Sequence, residues 1–171
     1  MPLIETVHRL AFGQRQGEEI ARLAHDLFND PTARPLLSLV CVEAKAITGH
    51  ILFSKIDIVP CPQQVTARIL APLAVVPDAQ TKGIGGMLIQ EGLRQLSESN
   101  VDLVFVLGHP DYYPRSGFTP AGVHGFNAPY PIPPRHASAW MVQELREGII
   151  GKVRGTVQCA DFLNRPEHWT E

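Results

Sequence analysis

Apolar residues recur every three to four positions over Gly17–Phe28, where Ile20, Leu23, Ala24, Leu27 and Phe28 share one face. That spacing predicts an amphipathic helix. Asn29-Asp30-Pro31 ends it, because proline has no N–H to donate to the ladder. A second helix is predicted over Ile84–Leu96, with Ile84, Met87, Leu88, Leu93 and Leu96 opposite Gln90, Glu91, Arg94 and Gln95. Looser alternation over Ile4–Leu10 reads as a first strand. Leu36–Ala44 and Gly49–Ile58, rich in Val, Ile and Leu, lie at hairpin distance and read as an antiparallel pair. Thr66–Val76 follows as a strand interrupted by Pro72, which demands an edge, a bulge or a splayed neighbour, since proline removes a ladder bond. Asp102–Gly108 reads as a buried strand, and Phe118–Val123, Ala137–Leu145 and Val153–Cys159 as later ones. Between them Pro129, Pro131, Pro133 and Pro134 stiffen a loop. Strands and helices in this mixed order predict an α+β layer arrangement.

Length and charge narrow the function classes. A chain of 171 residues is expected to form one domain, spanning 1–171. Its net charge of −2 and pI near 6.4 give no basic footprint for nucleic acid or anionic membranes. No apolar run approaches the length of a membrane span, and Met1–Arg9 lacks the apolar region of a secretory signal. Cys41, Cys61 and Cys159 are odd in number and too scattered for a disulfide framework or zinc ribbon. The seven histidines never stand three or four residues apart, so no helix presents a histidine pair to a metal. A reduced, cytoplasmic, metal-free domain is the expectation.

The chemistry-bearing stretch runs Leu73-Ala74-Val75-Val76-Pro77-Asp78-Ala79-Gln80-Thr81-Lys82-Gly83-Ile84-Gly85-Gly86. A strand enters a glycine-bearing loop that opens onto a helix, whose first N–H groups lack partners and carry the positive end of the helix dipole. Such a place binds phosphate. Thr81-Lys82-Gly83 runs in the wrong order for a Walker loop, and the dinucleotide fingerprint fails at Leu88. The pattern Gln/Arg-x-x-Gly-x-Gly/Ala is complete in Gln80, Gly83 and Gly85. Downstream, directly after a buried strand, comes Tyr112-Tyr113-Pro114-Arg115-Ser116-Gly117-Phe118.

With these signals in this order, the sequence resembles the GNAT superfamily of acetyl-CoA-dependent N-acetyltransferases, in its YhbS-like branch. Gly49-His50-Ile51-Leu52-Phe53-Ser54, Leu73-Ala74-Val75, Gln80–Gly86 and Tyr112-Tyr113…Gly117-Phe118 carry the resemblance, over about half the chain. It implies a mixed, mostly antiparallel central sheet flanked by helices and splayed between strands 4 and 5. Counting Ile4–Leu10 as the first strand, these are Thr66–Val76 and Asp102–Gly108. It further implies acetyl-CoA as cosubstrate, its pyrophosphate on the amides of Lys82, Gly83, Ile84, Gly85 and Gly86, with Gln80 bracing the loop. Pantetheine would pair with the backbone of Ala74, Val75 and Val76.

Acetyl transfer to an amine of pKa about 10.4 requires loss of a proton, which at pH 7 costs roughly 4.6 kcal/mol unless desolvation or a base assists. The resemblance makes Tyr113, four residues before Gly117-Phe118, the acid that protonates the CoA thiolate, and leaves Tyr112 to packing. The glutamate that many relatives carry before the loop is absent from Leu70-Ala71-Pro72-Leu73. His109, His50, Glu43 and water therefore stand as candidate bases, with His109 at the mouth of the buried strand. Lys82 is placed to meet a CoA phosphate or solvent, and Arg135 and His136 to meet an acidic acceptor or solvent. The tail Phe162–Trp169 packs on its own domain or across a homodimer. Two competing readings are a CoA-binding regulatory module without chemistry and a nucleotide-binding oxidoreductase, the latter disfavoured by the missing third glycine.

Overall fold

The structure is a computed structural model that describes residues 1–61 and 63–170. Helix α1 (Pro2–Asn29) takes in the segment Ile4–Leu10 that alternation assigned to a strand. Pro2 at the first helical position and Glu5 in the first turn are helix-start signals, and Ile4, Val7 and His8 follow at helical spacing. Val7 and His8 are buried whereas Leu3 and Leu10 stand in solvent, so the alternation there is incidental to folding. At Gly13 the helix folds back on itself through a left-handed residue (φ 68°). Glu5 accordingly meets His25 at 2.9 Å and Arg9 meets Glu18 at 2.7 Å. In a straight helix Glu5 and His25 would be about 30 Å apart.

Strands β1 (Leu37–Glu43), β2 (Ala46–Val59), β3 (Ala67–Val75), β4 (Leu103–Leu107), β5 (Thr119–Pro120), β6 (Phe126–Asn127), β7 (Trp140–Glu144) and β8 (Gly155–Gln158) form one sheet. Its order is β5-β7-β4-β3-β2-β8-β6, with β1 beside β2. Among the strands of the described residues, only β3–β4 and β6–β8 pair parallel. The expected strand Phe118–Val123 shrinks to two residues, because Gly122–His124 turns into a 3-10 helix. Pro134–Ala139 likewise coils before β7 begins at Trp140.

The β1–β2 hairpin turns through Ala44 and Lys45, both left-handed (φ 47° and 66°), closing on the pair Glu43–Ala46. Two-residue hairpins of this kind favour Asn-Gly, because other side chains crowd the backbone there. Replacing Ala44-Lys45 by Asn-Gly is expected to raise stability by about 1 kcal/mol, read as a higher urea midpoint at unchanged m.

Two cores lie on the two faces of the sheet. Helix α2 (Ile84–Glu98) covers one, with Ile84, Leu88, Ile89, Leu93 and Leu96 packed on Ile51, Phe53, Val104 and Val106. On the other face Leu23 and Leu27 of α1 meet Leu52, Ile69, Phe105 and Val142, together with Leu163 and Trp169 of the tail. The face changes at successive residues of each strand, as period-two geometry requires. At the foot of the sheet the buried Asp102 carboxylate pairs with Arg146 and accepts the Thr66 N–H (2.9 Å), tying the starts of β3 and β4 to the end of β7.

The seam in the sheet falls where the resemblance implied. β3 and β4 pair only from Ala67–Leu103 to Ile69–Phe105, then run on without partnering each other. On its other edge β3 shifts register against β2 between Leu70 and Leu73, so Ala71 and Pro72 form a bulge opposite Leu52. Pro72, which has no N–H to offer, occupies the place where the ladder is already broken.

Candidate functional site

The backbone leaves β3 through a 3-10 turn at Pro77–Ala79 and enters α2 by way of Thr81 (φ 67°) and Gly83 (φ 81°). Among the described residues no side chain caps α2, and its first intrahelical bond is Met87 N–H to Gly83 C=O. The N–H groups of Ile84, Gly85 and Gly86 thus remain free among the described residues. Gln80 donates from Nε2 to the Val75 carbonyl (3.0 Å), the bracing role expected of it. Gly86 faces open space, whereas a Cβ at Gly85 would collide with the Tyr112 hydroxyl. Lys82 is exposed and its side chain is not among those lining the groove described next.

A groove of about 1040 Å³ begins at this loop and passes through the seam. On the α2 face it is lined by Gln80, Gly83, Gly85 and Gly86. Between β3 and β4 it is lined by Leu70, Pro72 and Leu107, and on the opposite face by Phe12, Ile20, Leu23, Leu163, His168 and Trp169. The groove therefore connects the free amides of α2 with the face that α1 covers.

Backbone direction along β3 corrects part of the sequence reading. The Val76 N–H donates to Thr48 C=O, into β2, and strand alternation turns Ala74, paired with His50, the same way. Val75, whose carbonyl meets Gln80, and Leu73 present their amides to the seam instead. Of the expected Ala74, Val75 and Val76, only Val75 points its backbone to the groove, and Leu73 joins it.

Tyr113 and Tyr112 both line the groove, with rings edge to face at 5.1 Å. Tyr113 lies across Gly108, where any side chain would strike its ring, and against Phe118 at 5.8 Å. Its hydroxyl has no hydrogen-bond partner among the described residues. Burial, then the neighbouring Tyr112, pushes the Tyr113 phenol well above its ordinary value, and burial raises Tyr112 less. His109 also lines the groove, at its exposed rim, with Nδ1 accepting from Asp111 N–H (3.3 Å).

The other candidate bases stand elsewhere. His50 is buried in a chain that runs Ser38 Oγ to His50 Nε2 (2.8 Å) and His50 Nδ1 to His8 Nε2 (2.8 Å), outside the groove lining. Glu43 is exposed at the end of β1. Arg135 and His136 contact each other (3.0 Å) on the proline-rich loop and do not line the groove either.

The tail packs on its own domain. Asp161 and Phe162 donate backbone N–H groups to Thr32 Oγ1 (2.9 Å) and Asp30 Oδ2 (3.2 Å), and Tyr130 donates to Asn164 C=O (3.0 Å). Burial opposes the Asp30 charge, but hydrogen bonds from Thr32, Phe162 and Asp161 outweigh it and hold the pKa below its usual range. Trp169 is buried, its indole N–H on Leu163 C=O (2.9 Å). Phe12, Ile20, Leu23, Leu163, His168 and Trp169 were not singled out as site residues from the sequence. The signal available was two large aromatic rings in an otherwise polar tail.

Comparisons with known proteins agree with this arrangement. The chain is 44% identical over 160 residues to the uncharacterized N-acetyltransferase YjhQ of Escherichia coli K12, covering 92% of this chain and 86% of the relative. It is 30% identical to the uncharacterized N-acetyltransferase YhbS of the same strain, over 96% and 93% of the two chains. A crystal structure of YhbS, a GNAT family N-acetyltransferase in complex with CoA, superposes with TM-score 0.83, covering 96% of this chain and 86% of that one. A GNAT family acetyltransferase from Brucella melitensis in complex with acetyl-CoA, 26% identical, superposes with TM-score 0.73 over 95% and 90%. No family model matches the chain.

Proposed function

Because the chain belongs to the GNAT family of N-acetyltransferases, we propose that it transfers the acetyl group of acetyl-CoA to a primary amine while both substrates are bound. The observation that carries this reading is the groove that runs from the free amides of α2, through the seam, to the opposite face. A diphosphate fits the amides of Gly83, Ile84, Gly85 and Gly86, where the helix dipole favours negative charge. Lys82 contributes its backbone, since its side chain turns to solvent. Pantetheine, an amide-bearing arm, finds the Val75 N–H and the Leu73 backbone turned to the seam, while the Val75 carbonyl is held by Gln80. An N–H of this edge polarises the thioester carbonyl as charge develops on its oxygen. The amine approaches from the α1 face.

Family membership speaks against the oxidoreductase; the module without chemistry predicts acetyl-CoA binding with no CoA release to any amine, and the transferase reading predicts release. Direct transfer from a ternary complex requires intersecting double-reciprocal plots when acetyl-CoA and amine are varied. Parallel lines, the mark of a covalent acetyl-enzyme, would overturn it.

His109 is the groove-lining group we assign to take the amine's proton. His109→Ala is expected to lower kcat/KM about 10²-fold. An unchanged kcat/KM in that variant would transfer the role to water.

A further inference from the structure

We propose that the acceptor is an apolar monoamine, with an aromatic or branched aliphatic body, rather than a polycation. This rests on the transferase reading and names the substrate class for the same groove. On the face where the amine must arrive, the wall is Phe12, Ile20, Leu23, Leu163 and Trp169, with His168 the one titratable side chain among the described residues. No carboxylate lines the groove among the described residues. The wall is also held in place: Trp169 packs edge to face on Trp140 at 5.6 Å, and Asp30, Thr32 and Tyr130 fasten the segment that carries Leu163. An apolar body gains from burial on such a surface.

The charge balance points the same way. An ammonium moved into this groove loses its water without gaining a counter-ion, so its proton is released more readily. That helps a monoamine, whose nitrogen must become neutral before it attacks. A polyamine carries further ammonium groups that do not react and would be desolvated for nothing. Carboxylates do stand nearby, at Glu19, Asp26 and Glu167, but in a separate depression of about 330 Å³ that shares only Leu23 and His168 with the groove. Arg22 and Arg165 line that depression too, and Arg22 pairs with Asp26 at 3.7 Å.

The test compares phenethylamine, tryptamine and isopentylamine with spermidine and lysine, following acetyl-CoA-dependent CoA release. The apolar amines are expected to exceed spermidine in kcat/KM by at least about tenfold. Leu23→Asp and, separately, Ile20→Asp place a carboxylate on the wall at half-buried positions. Each is expected to move the phenethylamine-to-spermidine ratio about tenfold or more toward spermidine, with the acetyl-CoA dissociation constant unchanged. Wild-type preference for spermidine or lysine would overturn the inference and leave the transferase reading standing. So would a ratio unmoved in both variants while they bind acetyl-CoA normally. Bound acetyl-CoA with no CoA released to any amine would overturn the transferase reading and this inference together.

Discussion

Tyr113→Phe is expected to lower kcat by about 10²–10⁴-fold while leaving acetyl-CoA affinity within about twofold. Phenylalanine keeps the ring that lies across Gly108 and against Phe118, so the fold and the groove wall persist. Only the hydroxyl is lost, and no described protein group depends on it for a hydrogen bond. Its free state is the reason to assign it a reacting partner. Burial and Tyr112 raise the phenol's pKa, so the proton stays in place throughout the neutral range. A phenol above about 10 facing a thiolate whose acid is near 8.5 will not surrender its proton outright. In the role we propose for it, the hydroxyl would stabilise the departing sulfur by hydrogen bonding as charge accumulates, which would act on the transition state more than on the bound substrate. The loss should therefore appear in kcat and in single-turnover rates rather than in KM. Tyr112→Phe supplies the contrast. The Tyr112 hydroxyl lies against Gly85 at the start of α2, so its removal is expected to weaken acetyl-CoA binding by a few-fold with kcat little changed. Equal kcat for wild type and Tyr113→Phe would remove Tyr113 from the chemistry.

What could be read from the sequence was what is local in the chain. Helix α2, the β1–β2 hairpin, the Gln80–Gly86 loop and the Tyr113 turn each depend on residues close in sequence, and each stands where the pattern put it. Pro72 announces a broken ladder before any register is known, and the bulge and the seam both fall beside it. The first half of α1 misleads because Ile4–Leu10 fits two periods, and burial of Val7 and His8 on α1 decides between them. Ala74 and Val76 mislead for a related reason. Which amides of β3 point to the seam is a matter of parity, fixed by the Val76–Thr48 bond to a different strand. The far wall of the groove was the hardest part to read: residues 12–23 and 163–169 are distant in sequence and meet where Asp30, Thr32, Tyr130 and Trp140 hold the tail. No local pattern encodes that meeting.

Acid is expected to unfold this protein early, through His8 and His50. Both rings are buried, and burial lowers their pKa values to about 4 for His8 and about 3 for His50, with repulsion from His8 adding to the latter. In the unfolded chain each returns to about 6.5. Between roughly pH 6.5 and 4 the unfolded state therefore binds more protons than the folded one, and stability falls as pH falls. At pH 5 the two rings together withdraw about 4 kcal/mol relative to pH 7.5. For a domain of this size that is a drop of roughly 10 °C in Tm. The carboxylates of Asp30 and Asp102, whose pKa values are lowered, add to this loss only at more acid pH, since their contribution is intact above the usual carboxylate range and disappears below it. A doubly substituted His8→Leu, His50→Gln chain should show a markedly flatter Tm between pH 7.5 and 5. His8 Nδ1 already lacks a partner in the interior, so an apolar side chain there strands no new polar atom on His8's own helix. The glutamine amide of the His50→Gln substitution retains both an acceptor and a donor for Ser38. An equally steep pH dependence in that variant would show that the acid sensitivity arises elsewhere.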